Sequence, residues 1–258
     1  MIFLLIPILA FIPALFWFFI FLREDRADPE PKRLIIKLFL LGGVSGIAAA
    51  ILEFSATRIL PSSLGEGVAN FFADPTLSLP STSLLVFIIV VVILFAAVEE
   101  TLKITVVKEF AFYHSHFRQV VDGAIFGISA GLGFATLENI GYFFEANATE
   151  GVGALIMVFF LRFFASTLLH AITTGISGYY LGKAKFSKNK KVFWQGLIAA
   201  ILIHSAFNLF LFGEVLGVTL NIIFLIILFV FFIRKMGSVE AQTIWGLVLL
   251  KNPIGKKS

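Results

Sequence analysis

Cysteine is missing from all 258 residues, so disulfides, iron–sulfur clusters and thiolate zinc sites are excluded. Charge is scarce as well. Asp, Glu, Lys and Arg make up 14% of the chain, well below the usual share for a soluble domain. No direct or inverted repeat is visible, which argues against folds assembled from duplicated units. No interval between apolar runs is long enough for a soluble domain either; the longest, about 56–82, is a Ser/Pro/Gly-containing loop. What fills the chain instead is apolar, with 59% hydrophobic residues and 32 phenylalanines. That composition belongs to a polytopic membrane protein. The formal charge of +4 then reflects loops between spans rather than a nucleic-acid partner.

Hydropathy predicts an all-α membrane helix bundle of about seven spans, at 2–22, 34–55, 83–107, 120–144, 154–181, 192–212 and 214–233. Met1 leads directly into IFLLIPILAFIPALFWFFIFL without a basic flank or a small-residue cleavage site, so the first run reads as a retained span. Lys and Arg sort by loop. The first, third and fifth loops and the C-terminal tail hold sixteen of them, whereas the even-numbered loops hold Arg58. By the positive-inside rule the N-terminus is outside and the C-terminus cytoplasmic, which requires an odd number of spans. The whole chain, 1–258, reads as one integral membrane domain in the cell membrane, with a motif-bearing core at about 83–212. Residues 237–258 form a short tail whose TIWGLVLL stretch suits the membrane interface but is too short to span.

Polar residues inside the spans carry the chemistry. The third span, LLVFIIVVVILFAAVEETLKITVV, is interrupted by Glu99 and Glu100, with Lys103 one turn later. A carboxylate at mid-bilayer costs about 2.5–3.5 kcal/mol even on lenient insertion scales, so such a pair marks a site. Lys103 is i+4 from Glu99 and i+3 from Glu100, in the favourable Glu-before-Lys order. It offsets one carboxylate and leaves the other able to exchange a proton with water. A helix-locking ion pair is the structural alternative. The fourth span repeats Gly123, Gly127 and Gly131 at four-residue spacing, a stripe for close helix approach, then places Phe134 and Glu138 on one face, followed by Asn139. Asp122 reads as a cap or boundary residue at the start of that span. The fifth span carries His170, and the sixth carries His204 and Asn208 on one face. His114 and His116 fall in the third loop and read as solvated, with a surface metal clip as a minor alternative.

This inventory suits a glutamate base that activates water, with His or Asn donors for the oxyanion. It equally suits a catalytic zinc with an open water position, held by Glu138, His170 and His204. Spacing alone leaves both open. Drawn on these boundaries, Glu99 lies about 6 Å to the cytoplasmic side of its span centre and Glu138 about 8 Å to the outer side of its own. One shared site therefore requires tilt, a kink or a shifted third span.

The motifs EETLK (99–103), FATLEN (134–139), HAITTGISGYYLGKAKFS (170–187) and HSAFN (204–208) resemble the PrsW family of intramembrane proteases, characterised by EExxK, FxxxE and HxxxD. The match is collinear and covers about 23–212, including the DPEPKR stretch and HSHF. The resemblance implies that Glu99 or Glu100 is the base or water-binding carboxylate, that Glu138 helps bind water or a metal, and that His204 and His170 belong to the site. Asn208 stands where the family pattern has Asp. In the related CAAX prenyl endopeptidases Asn occupies that place and looks like an oxyanion donor. The implied activity is cleavage of a membrane-anchored protein, anti-sigma factors being the substrate type of one branch. The same superfamily includes the scaffold subunit of gamma-secretase, so a non-catalytic, substrate-presenting subunit is the second reading. A proton-coupled transporter, disfavoured by the missing repeat, is the third. Oligomeric state is left open.

Overall fold

The computed structural model describes residues 2–22, 30–59, 82–187 and 189–251. The architecture is all-α, with no strand among the described residues. The helices are α1 (Ile2–Leu22), α2 (Lys32–Ile59), α3 (Thr82–Phe110), α4 (Val120–Thr149), α5 (Val152–Leu161), α6 (Thr167–Ser187), α7 (Lys190–Phe210) and α8 (Glu214–Lys251). A π-helical turn, Arg162–Ser166, fuses α5 to α6, and a 3₁₀ turn, Leu211–Gly213, joins α7 to α8. Among the described residues seven helical segments are long and apolar enough to cross a membrane, Val152–Ser187 counting as one. The chain is therefore a multi-pass integral membrane protein. Of the expected loop at 56–82, residues 56–59 continue α2 and residue 82 begins α3, while 60–81 and part of DPEPKR lie outside the described residues.

The bundle is built around α4. Of its most apolar stretch 89% is buried, against 17–39% in the other six spans. It touches α1, α2, α3, α5, α6 and α8. The glycine stripe explains how so many neighbours fit. A methyl group on Gly123, Gly127 or Gly131 would collide with the backbone carbonyls of Gly178, Thr174 and His170 on α6. On the opposite side Gly133 faces the carbonyl of Phe39 on α2 in the same way. Close approach removes the room for any Cβ, which is what small-residue stripes do in membranes. Lipid-side positions are filled by exposed apolar side chains such as Leu4, Phe19, Met157 and Phe231.

Helix ends follow local chemistry. Asp122 accepts hydrogen bonds from the backbone N–H groups of Arg118 (2.6 Å) and Gln119 (2.8 Å), capping α4. Lys185 on α6 donates to the carbonyl of Phe117 (2.8 Å) and to that of Phe112, fastening the 111–119 turn. TIWGLVLL lies within α8, which runs unbroken to Lys251. No proline precedes Pro253 in that stretch, and the isolated Gly237 and Gly246 are too weak as breakers to stop the helix.

Candidate active site

Helix periodicity separates the two consecutive glutamates. Adjacent residues on a helix point about 100° apart, so Glu99 and Glu100 enter different surroundings. Glu100 is fully buried and held by four side chains. Its Oε1 accepts from Lys103 Nζ (2.7 Å), Thr173 Oγ1 (2.9 Å) and His204 Nδ1 (2.8 Å), and its Oε2 receives Thr174 Oγ1 at 3.4 Å. Glu99 instead lines a cavity of about 570 Å³ formed by residues of α2 to α8 and the π and 3₁₀ turns. Its Oε2 lies 3.5 Å from Lys103 Nζ and 3.8 Å from His204 Nε2.

Lys103 is the hub. Fully buried, it reaches both glutamates and His170 Nδ1 (3.0 Å), with its ammonium 4.4 Å from the centroid of the Phe134 ring. An ammonium has only donors, so His170 Nδ1 accepts and its Nε2 carries the proton. That Nε2 faces Glu138 Oε2 at 2.8 Å. His204 has the opposite tautomer. Its Nδ1 donates to the Glu100 carboxylate and leaves the Nε2 lone pair facing Glu99 and the cavity, an orientation fixed by a carboxylate behind the ring. The two imidazoles pack edge to face, 5.1 Å apart.

His170 also resolves the difference in depth between Glu99 and Glu138. One nitrogen stands 4.0 Å from Glu99 Oε2 and the other 2.8 Å from Glu138 Oε2, so the ring spans the offset. The structure brings Glu99, Glu100, Lys103, Glu138, His170 and His204 into one network, and Asn208, one turn beyond His204, lines the same cavity.

Several partners were not anticipated. Arg162 donates to Glu138 Oε2 from Nη2 (2.7 Å) and to Asn139 Oδ1 from Nε (2.6 Å), and stacks on Tyr142 at 4.0 Å. Asn139 in turn donates to Thr167 (3.1 Å). The widened turn places Arg162 and Ser166 in the cavity wall. Trp17 on α1 secures that turn by donating its indole N–H to the Phe163 carbonyl (2.7 Å). Such π turns concentrate at functional sites. Glu53 on α2 and Asn221 on α8 complete the polar lining. Arg162 and Glu53 carried the same signal as Glu99, a charge inside an apolar stretch; Thr173 and Thr174, small and common in spans, carried none.

A metal is compatible with this donor set. Ligand atoms of Glu99, His170 and His204 lie within 4.8 Å of one another, all three residues buried, and no other such group of three occurs among the described residues. Glu138, the carboxylate of the expected zinc set, is engaged by Arg162 and lies outside this group of three. Two His and one carboxylate form a recognised zinc set. The network also holds three carboxylates, Glu99, Glu100 and Glu138, against two cations, Lys103 and Arg162, an imbalance that a divalent ion or a proton offsets. His114 is exposed and His116 half-buried, and neither joins a three-ligand group.

Comparison with known proteins points the same way. The sequence profile of the PrsW family of intramembrane metalloproteases matches residues 30–234. Protease PrsW of Bacillus subtilis strain 168 is 29% identical over 218 residues, 83% of this chain and 86% of the relative. Protease PrsW of Halalkalibacterium halodurans is 30% identical over 202 residues, 77% and 80% of the two chains. Protease PrsW of Clostridioides difficile strain 630 is 28% identical over 226 residues, 86% and 85%. No solved structure matches the chain significantly.

Proposed function

Because the chain belongs to the PrsW family of intramembrane proteases, we propose that it hydrolyses a peptide bond of a membrane-anchored protein, with Glu99 as the carboxylate that works on water. The observation that carries this assignment is that Glu99 faces the cavity beside the His204 Nε2 lone pair, whereas Glu100 is held by four side chains behind it. In the proposed reaction a water between Glu99 and His204 gives its proton to Glu99 as its oxygen attacks the peptide carbonyl carbon. The Asn208 amide donates to the carbonyl oxygen as it becomes an oxyanion. Glu99 then returns the proton to the amide nitrogen, the C–N bond breaks, and acid and amine leave.

The remaining residues hold this arrangement. Glu100 fixes the His204 tautomer, Lys103 bridges Glu99 and Glu100, and Arg162 with Glu138 orients His170. A zinc ion held by Glu99, His170 and His204 would supply Lewis acidity and a hydroxide at neutral pH. In that form Glu138 and Glu53 are the remaining carboxylates at the cavity. A lumenal or extracytoplasmic peptide fits the geometry, since the cavity lies toward the helix ends whose loops are poor in Lys and Arg.

The test compares protein N-termini in membranes from cells producing the wild-type chain or Glu99→Gln. New N-termini confined to the wild type support the reading; identical profiles overturn it. Zinc content of the purified chain, with activity measured before and after chelation, separates the two forms. Chelation abolishes cleavage only if the ion participates.

A further inference from the structure

Every carboxylate of the site but one has a partner in the protein. Glu99 and Glu100 have Lys103, and Glu138 has Arg162 and His170. Glu53 on α2 lines the same cavity, yet its Oε1 is buried without a hydrogen-bond partner among the described residues. Placing an unpartnered carboxylate at membrane depth is costly. The nearest cation on its own helix, Arg58, does not relieve it, because Arg58 stacks on Phe54 at 4.9 Å. Glu53 shares the cavity lining with Glu99 and Glu138. Among the described residues three carboxylates therefore line the cavity, and the one guanidinium there is spent on Glu138 and Asn139. The rest of the wall is largely apolar, with Val92, Phe95, Phe164 and Ile222.

Resting on the peptidase reading, we propose that Glu53 is a specificity residue that receives a basic side chain of the substrate segment, a Lys or Arg close to the cleaved bond, while flanking apolar residues occupy the phenylalanine-lined remainder. A cation fits better than a neutral donor because the wall carries excess negative charge. The long apolar stem of Lys or Arg covers the hydrophobic lining while its head reaches the carboxylate. A neutral or acidic side chain leaves the Glu53 oxygen unpaired or repelled, which is how a buried polar group discriminates.

The experiment uses membranes from cells producing the full chain as wild type, Glu53→Gln, Glu53→Asp, Glu53→Lys or Glu99→Gln, with N-termini sequenced in each. Cleavages absent from Glu99→Gln define the true sites. They are expected to share a Lys or Arg at one fixed position within a few residues of the cut. Glu53→Gln lowers the ratio of basic to neutral sites by on the order of tenfold, as expected for loss of a charged hydrogen bond. Glu53→Asp retains the preference and Glu53→Lys shifts it toward acidic residues. A wild-type pattern without a fixed basic position overturns the proposal, as does a basic preference that survives in both Glu53→Gln and Glu53→Lys. Identical profiles for wild type and Glu99→Gln overturn the peptidase reading and this proposal together.

Discussion

The site has a dry floor and an open wall, and the boundary between them runs between two consecutive residues. Floor groups are Glu100, Lys103, Thr173, Thr174 and the Nδ1 side of His204, all buried and bonded to one another. Wall groups are Glu53, Glu99, Glu138, Arg162, Asn208 and the Nε2 side of His204, facing the cavity. Burial with complete hydrogen bonding makes the floor rigid and makes each of its members costly to remove. Incomplete bonding leaves the wall able to exchange partners with water and substrate. Structure sits on one side of α3 and chemistry on the next, with a rotation of one residue separating them.

The sharpest way to break this contrast is to neutralise the two glutamates one at a time. Glu99→Gln is expected to reduce cleavage by about 10²–10⁴-fold, the usual worth of a general base, with little change in thermal unfolding in detergent. Glu100→Gln should lose activity and also about 3–5 kcal/mol of stability, because it strips the buried Lys103 of its nearest carboxylate. Adding Lys103→Met to Glu100→Gln removes the orphaned charge and should recover part of the stability without restoring activity. Equal destabilisation by both single variants would dissolve the floor and wall into one network.

A second prediction acts through the backbone. Gly131 on α4 presses on the carbonyl of His170. Gly131→Ala must push α6 away, at a cost of about 1–3 kcal/mol, and carries His170 off both Lys103 and Glu138. Cleavage should fall by about 10²-fold, as ångström misplacements of catalytic groups do. Gly141→Ala, on the same helix with open space around it, is the control and should be neutral.

These contrasts also show what a sequence can and cannot carry. Seven long apolar runs announce seven spans because the bilayer fixes their length, and charges inside them stand out because insertion is costly. Glu99, Glu100, Lys103 and Glu138 were legible on that ground, and Arg162 and Glu53 obeyed the same rule without being singled out. The rotation of α3 that turns Glu99 to the cavity and Glu100 to the floor depends on how α3 meets α6 and α7, which no local pattern encodes. The pairing of Glu138 with Arg162 was hidden for the same reason: Arg162 enters through a π turn that periodicity assumes away.

Arg162 tests the wall from its far side. Arg162→Lys keeps the charge but loses the fork that binds Glu138 and Asn139 together. The expected loss is about tenfold in kcat, with KM nearly unchanged if Arg162 positions Glu138 rather than binding substrate. A change in KM alone would move Arg162 from positioning to recognition.

The smallest effects grade the floor itself. Thr173 donates to Glu100 at 2.9 Å and Thr174 approaches the other oxygen at only 3.4 Å. Thr173→Val removes a good hydrogen bond to a buried carboxylate and should cost about 1.5–3 kcal/mol. Thr174→Val removes a marginal one and should cost well under about 1 kcal/mol. Both belong to the floor, so each should lower unfolding temperature in proportion to activity, which distinguishes them from Glu99, whose loss removes activity alone. If Thr174→Val were the more damaging change, the second oxygen of Glu100 would be the one that matters, and the inner boundary of the floor would lie one contact closer to the cavity.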